Sequence, residues 1–349
     1  MTESSLAPSR ASWSTSRRQV AATAENRACP ELENRRLLPA AGPADGPAIF
    51  SQPATSSVPR HTAMPTDATR FSRRHWLATA AAGSCGLGGG LLAESVFVTP
   101  CTLATTRLTV GRPQGNRRPL QLAQLSDLHL RGIGQLETDL AAAIAAAQPD
   151  MILLTGDTLD CRRGIEPLGE FLSWLPSGPE RLAIIGNWEY AAGLEPERFR
   201  RLLGRHGFQL LVNESVARDH HGAALQITGL DDLVGGRPAA PPAAALPDGP
   251  ADHLVLAHCP AARDQLLPLP GPGISLMLSG HTHGGQIAPA GLPIVTPPGS
   301  GDYVTGWYLE QGPPMYVSRG LGTSTIPIRL GATPELVLVD WWLGGSTAA

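Results

Sequence analysis

The sequence has no lysine: all 27 basic residues are arginine, set against 30 acidic ones, for a formal charge of −3 over 349 residues. Without a bulk cationic field, a protein that wraps nucleic acid or grips an anionic membrane by charge is disfavoured. The arginine bias accompanies abundant Ala, Gly and Pro, which resembles a G+C-rich coding bias and carries no functional meaning. Charge is sparse overall, at 16% of residues. The five cysteines, Cys29, Cys85, Cys101, Cys161 and Cys259, are odd in number and form no C-x-x-C pair. Neither a disulfide framework nor a structural zinc knuckle is supported. The 39 Gly and 33 Pro follow no triplet period, which excludes collagen and favours a loop-rich α/β or β architecture over a helical bundle. What is present is a 42% hydrophobic content, enough for a large core and incompatible with a wholly disordered chain.

Residues 1–63 hold seven Pro and scattered Ser, Thr and Arg with no sustained apolar period. They read as disordered, or as lying upstream of a true start at Met64. From Met64, the stretch Ser72-Arg73-Arg74-His75-Trp76-Leu77 resembles the twin-arginine export motif, and a weakly apolar run from Trp76 to Val98 comes after it. Residues 64–100 are therefore expected to be a twin-arginine signal peptide, with a retained anchor as the alternative. The expected location is the periplasm, the cell exterior or the membrane surface.

Residues 105–343 change character, and chemistry is expected there. Pro119–Leu125, Met151–Leu154, Leu182–Ile185, Leu254–Ala257 and Ile274–Leu278 read as buried strands. Leu136–Ala147, Ile165–Leu175, Pro196–His206 and Ala261–Leu267 have helical spacing or composition between them, so a layered α/β domain is expected. Ile294–Thr296, Gly306–Leu309, Met315–Ser318 and Leu336–Trp342 are strand-like without intervening helices and suggest a second, more antiparallel sheet.

The informative residues lie just past the end of each buried strand: Asp127 and His129, Asp157, Asn187, His258, then His281 and His283. Ligands of open α/β sheets bind at the carboxyl ends of strands, so five strand ends would bring seven metal-competent groups to one edge. Residues i and i+2 of an extended segment point to one side, which would let Asp127 and His129 share a pocket, and likewise His281 and His283. Gly156, Gly186, Gly280, Gly284 and Gly285 would permit close backbone approach to an ion or phosphate. Nitrogen and oxygen donors without thiolate suit Zn, Fe or Mn, and seven donors fit two adjacent ions sharing a carboxylate better than one. Singly each piece is ordinary: an Asp-x-His pair at the surface, a turn Gly-Asp or Asn187, a core His258. The ordered set of five strand ends carries the inference.

That set resembles the calcineurin-like metallophosphoesterases, on Asp127-Leu-His129, Gly156-Asp157-Thr-Leu-Asp160, Gly186-Asn187-Trp188-Glu189, His258 and Gly280-His281-Thr-His283. Gly284-Gly285-Gln286 and the tail from Tyr316 through Arg319 and Pro327 to Arg329 look like the branch whose members are often twin-arginine exported. The resemblance implies a four-layer α-β-β-α sandwich, two packed β-sheets flanked by helices, and two divalent ions. Asp127, His129 and His283 would hold one ion and Asn187, His258 and His281 the other, with Asp157 bridging and Asp160 supporting. A water shared by the ions would attack phosphorus, making the chain a metal-dependent phosphoric ester or pyrophosphate hydrolase. A non-catalytic metal-binding scaffold of the same fold is the alternative.

One position departs from the family. Trp188 stands where a catalytic His is usual, and indole neither donates nor accepts a catalytic proton at neutral pH. The related UDP-diacylglucosamine pyrophosphohydrolases also lack that His, so a pyrophosphate or activated diester is implied over a monoester with a poor leaving group. Asn187 and Trp188 are the candidate substrate contacts, Trp188 alternatively a packing residue at the rim. The substrate is expected to be a phosphorylated small molecule or lipid, read by loops such as Gly235–Pro250 and Pro289–Tyr303. Nucleic acid is not expected, and membrane contact would come through the leader. Cys161 and Cys259 flank the site as small buried residues rather than ligands.

Overall fold

The computed structural model describes residues 93–344, except 114, 116, 245, 247–250, 266–268 and 270. The expectations for residues 1–63, Met64 and the twin-arginine motif lie outside the described residues, as does most of the leader. Its last part forms a helical turn over Glu94–Val98 and a tighter one over Thr99–Cys101. Among the described residues, no helix is long and apolar enough to cross a membrane.

Two six-stranded sheets are stacked. The first holds β1 (Ala104–Val110), β2 (Leu120–Leu125), β3 (Met151–Thr155), β4 (Glu180–Ile184), β5 (Gln209–Leu210) and β12 (Glu335–Trp341), in the order β1-β12-β2-β3-β4-β5. The second holds β6 (Glu214–His220), β7 (Ala223–Gly229), β8 (Ala251–Leu256), β9 (Leu276–Ser279), β10 (Gly306–Tyr308) and β11 (Met315–Val317), in the order β10-β11-β9-β8-β7-β6. β2, β3, β4 and β5 run parallel, as do β7, β8, β9 and β11. Covered on both faces, β3 is a continuous buried run, Met-Ile-Leu-Leu-Thr, rather than an alternating one.

The inter-sheet core interleaves Leu120, Leu122, Leu153 and Ile184 of the first sheet with Leu225, Ile227, Leu254 and Leu278 of the second. On the outer face of the first sheet pack α1 (Gln135–Ala147) through Leu140 and Ile144, α2 (Ile165–Trp174) through Leu168, Phe171 and Leu172, and α4 (Pro196–Gly204) through Phe199 and Leu203. Those i, i+3, i+4 spacings form one apolar stripe per helix. Over the second sheet the cover is thinner, with α5 (Ala262–Gln265) beside Tyr303, Met315 and Val317. The expected α/β two-sheet sandwich flanked by helices is the fold.

The tail differs from expectation. β10 and β11 extend the second sheet, while β12 inserts between β1 and β2 of the first, so both sheets are mixed rather than one being antiparallel. Ile294–Thr296 is not a strand. Pro293, Pro297 and Pro298 around it cannot donate to a ladder, and Ile294 N donates a single bond to Ile287 O at 3.1 Å. The hairpin of β6 and β7 had no clean alternating pattern to expose it, because β6 is a half-buried edge strand of polar composition.

Candidate metal centre

Each strand of the parallel blocks ends where the chain leaves the sheet, and the candidate side chains sit in those first loop residues. Asp127 and His129 come after β2, Asp157 after β3, and Asn187 begins α3 (Asn187–Ala191) after β4. His258 comes after β8, while His281 and His283 come after β9. The backbone there is not extended: Asp127, His129, Asp157, His281 and His283 have φ of 54°, 46°, 51°, 72° and 53°. The i, i+2 alternation therefore does not explain the pairings. Successive left-handed kinks turn each side chain in, and they separate His281 from His283.

Two buried groups result. In one, Asp127 Oδ1 lies 3.6 Å and His129 Nε2 3.0 Å from His283 Nε2. In the other, His258 Nε2 lies 3.0 Å from Asp157 Oδ2 and 3.2 Å from His281 Nδ1. Asp157 Oδ2 is also 3.7 Å from His129 Nε2, so this carboxylate stands between the groups. Close packing of loops makes this possible. A Cβ on Gly280 would overlap Ser126 Oγ and Asp127 Oδ2, and one on Gly186 would overlap Asp157.

The outward ring nitrogens fix which nitrogen faces inward. His258 Nδ1 donates to Thr155 O at 2.8 Å, and His281 Nε2 donates to Pro298 O at 2.8 Å. His129 Nδ1 donates to Asp160, which also receives Arg131. His283 is the exception, its outward Nδ1 meeting a donor, Arg329 Nη2, at 3.2 Å. Burial lowers the proton affinity of all four rings. Asp160 nevertheless lifts His129, and Asp157 lifts His258 well above the usual imidazole range. His281 is lowered by burial and by His258, and His283 well lowered by burial, His129 and Arg329. Each group thus pairs one proton-rich imidazole with one proton-poor one. Asp127 is held at about 2, because its histidine neighbours outweigh a burial effect that acts upward.

The donor set suits a divalent ion in each group. Three imidazoles have their outward N–H pinned, leaving the inward nitrogen for a proton or a metal, and each group supplies one carboxylate. Asn187 Oδ1 is buried with no hydrogen-bond partner among the described residues, and a carbonyl oxygen is a donor that suits a cation. Trp188 is half-buried at the rim, edge-on to His129 at 5.7 Å, and its N–H on the main chain donates to Asp157 Oδ1 at 2.8 Å. Cys259 is buried and donates to Asp232 Oδ1 at 3.2 Å, Cys161 is half-buried, and both are free thiols.

Six of the seven expected residues lie in these two groups, Asn187 starts α3 one residue before the Trp188 N–H that donates to Asp157 Oδ1, and three further residues matter. Glu189, fully buried, accepts from the main-chain N–H groups of Asp157 at 3.1 Å, Thr158 at 2.5 Å and Gly186 at 2.9 Å, locking the β3 and β4 loops together. Its bond from the Gly186 N–H at the start of α3 is one half of a capping box, glycine having no side chain to supply the other. Asp160 orients His129. Arg329, fully buried, donates to the carbonyls of Arg319 at 2.9 Å and Ala332 at 2.8 Å and to Gly322, shaping the segment whose Gly322 N–H donates to Asp127 O at 2.6 Å. Nothing local in the sequence marks Arg329 for that place.

Two buried histidine–carboxylate groups at the carboxyl edge of a two-sheet sandwich define the metallophosphoesterase class. The chain belongs to the calcineurin-like phosphoesterase family, whose sequence model matches residues 120–285. An uncharacterized metallophosphoesterase of Bacillus subtilis (strain 168), YkuE, is 32% identical over 290 residues, 77% of this chain and 97% of its own. The phosphodiesterase YaeI of Escherichia coli (strain K12) is 29% identical over 280 residues, 77% of this chain and 99% of its own. Among solved structures, a 5'-nucleotidase precursor from Thermus thermophilus aligns with a TM-score of 0.39 and 15% identity over 63% of this chain. The chain spans about half of that structure, 54%.

Proposed function

We propose that this chain is an exported hydrolase that cleaves a phosphodiester or pyrophosphate bond. Asp127, His129 and His283 would hold one divalent ion and Asn187, His258 and His281 the other, with Asp157 shared. Zn, Fe and Mn suit these donors. When bound, such a pair supplies Lewis acidity toward phosphoryl oxygens and a water-derived nucleophile at neutral pH. The observation that carries the reading is the convergence of imidazole nitrogens and a carboxylate in each of two buried groups, Asp127, His129 and His283, and Asp157, His258 and His281. Asp160, Thr155 O and Pro298 O hold three rings in register for that role.

At the rim, Trp188 has no proton to give a departing alkoxide, so the leaving group must already be a weak base. This favours diesters and pyrophosphates over alkyl monoesters, in keeping with the name of the Escherichia coli relative. The test is metal content after reconstitution with Mn, Fe or Zn, and then a panel of phosphodiesters, pyrophosphates and monoesters. Fewer than two ions per chain, or no hydrolysis across the panel by the two-ion form, overturns the reading. The dependence of rate on leaving-group pKa should be steep for the parent and shallower for Trp188→His, over a range of about 10²- to 10⁴-fold.

Export is proposed from Ser72-Arg73-Arg74-His75-Trp76-Leu77. Arg73→Lys with Arg74→Lys should leave the protein in the cytoplasm, as fractionation would show; export equal to the parent's would remove the proposal.

A further inference from the structure

Between two of the candidate ligands and the surface runs a loop that is firmly anchored yet apolar at its crest. It leaves the site directly after His283 and returns where Pro298 O accepts from His281 Nε2. Ala288 N donates to Leu330 O at 2.8 Å, Leu330 N to Gln286 O at 2.9 Å, and Gln286 Nε2 to the carbonyls of Ser324 and Ile326 at 3.1 Å each. Despite this order, Leu292, Ile294 and Val295 are 72%, 70% and 72% exposed. Ile326, on the segment bonded to Gln286, is also exposed. Arg329 N donates to Ser95 O at 3.0 Å, which brings in the turn Glu94–Val98 with exposed Phe97 and Val98. These three neighbouring segments hold six of the nine exposed large hydrophobic residues described. Such clustering is not the ordinary scatter of surface apolar residues and marks an interaction site.

The composition says what kind of partner fits. No charged residue occurs from residue 265 to 301 or from 320 to 328, so the crest has nothing to pair with a charged protein surface or a phosphate. The stretch Trp76–Leu92, which leads into the Glu94–Val98 turn, is likewise without charge.

We propose that the crest Leu292, Ile294 and Val295, with Phe97, Val98 and Ile326, seats the protein on a lipid bilayer, its side chains entering the boundary between headgroups and acyl chains. Seated there, the loop presents the histidines at its two ends to headgroup phosphoesters. This names phospholipid headgroups as the substrate class of the site; hydrolysis rests on the function proposed above, and docking does not. With no basic residue in the crest, binding should not strengthen with anionic lipid.

The test uses the full chain with vesicles of phosphatidylcholine, alone or mixed with phosphatidylglycerol. The parent should float equally with both. The triple variant Leu292→Ser, Ile294→Ser, Val295→Ser should partition about tenfold less, and its hydrolysis of vesicle phospholipid should fall further than its hydrolysis of soluble bis(p-nitrophenyl) phosphate. In a Leu292→Trp variant, brominated acyl chains should quench more fluorescence than in the parent. Equal flotation of parent and triple variant together with no added quenching would overturn the proposal, leaving the leader segment as the sole anchor. Self-association abolished by the triple variant, without vesicle binding by the parent, would overturn it in favour of a second copy. Vesicle binding by a parent that hydrolyses nothing would support the seat and remove the hydrolytic reading instead.

Discussion

The two candidate ion-holding groups are built alike but supported differently. The Asp157, His258 and His281 group hangs on main-chain carbonyls, Thr155 O and Pro298 O. The Asp127, His129 and His283 group lies between charged side chains, Asp160 behind one ring and Arg329 behind the other. A carbonyl holds a ring in place without bringing a net charge, and substitution cannot remove it. A carboxylate or guanidinium also tunes the ring, and substitution can delete it. The first group is thus fixed by the fold, whereas the second is adjustable through two buried side chains.

The largest expected effect removes the comparison altogether. Asp157 faces both groups, so Asp157→Asn should lower phosphodiester turnover by about three powers of ten and reduce bound metal below two ions per chain. Metal analysis alongside kcat checks this, and a variant that retains both ions and its rate would show that Asp157 is not shared. Asp160→Asn sharpens the contrast. By loosening the support of His129 alone, it should weaken one ion about 10- to 100-fold and leave the other unchanged. Competition with a chelator should then show two separated release steps where the parent shows a narrower pair.

Smallest is a proton effect common to both groups. Burial lowers the proton affinity of His129 and His258, but Asp160 and Asp157 respectively raise it overall, and bound cations would compete with those protons. Loading two ions should release protons, more on the acid side of the raised values than above them, measurable with an indicator in weak buffer. The same linkage sets the stability of the metal-free chain. Protonated His129 and His258 contribute below the ordinary imidazole value of 6.5, and this is lost as pH rises through their raised values. Asp127, lowered from 3.8 to about 2, contributes above 3.8 and loses its contribution as pH falls through about 2.

The seven candidate residues were legible because ligands of parallel sheets gather at strand ends, and β2, β3, β4, β8 and β9 are apolar runs that announce where they stop. Their division into two groups was not legible from alternation, since that depends on left-handed kinks set by loop packing. Glu189 was readable as a motif letter, though its work is done on amides of another loop. Arg329 lies 46 residues from the ring it meets, and only the folded chain brings them together. The sequence pattern also mistook Ile294–Thr296 for a strand. Its apolar run belongs to an exposed loop crest, where β-branched residues serve something other than a ladder.

Five of the residues gathered at this edge hold a backbone conformation that side chains other than Gly adopt reluctantly, at a cost of order 1 kcal/mol each. Asp and His tolerate it better than most, but the load is standing: it is carried whether or not anything is bound. Activity and thermal endurance therefore pull in opposite directions along these loops. A chain selected only for heat resistance would drift toward Gly or Asn at Asp127, His129, Asp157, His281 and His283, and each step would erase a donor. In return for that load the edge is rigid in advance, so an arriving ion or phosphoester finds its partners already turned inward and little ordering entropy remains to be lost.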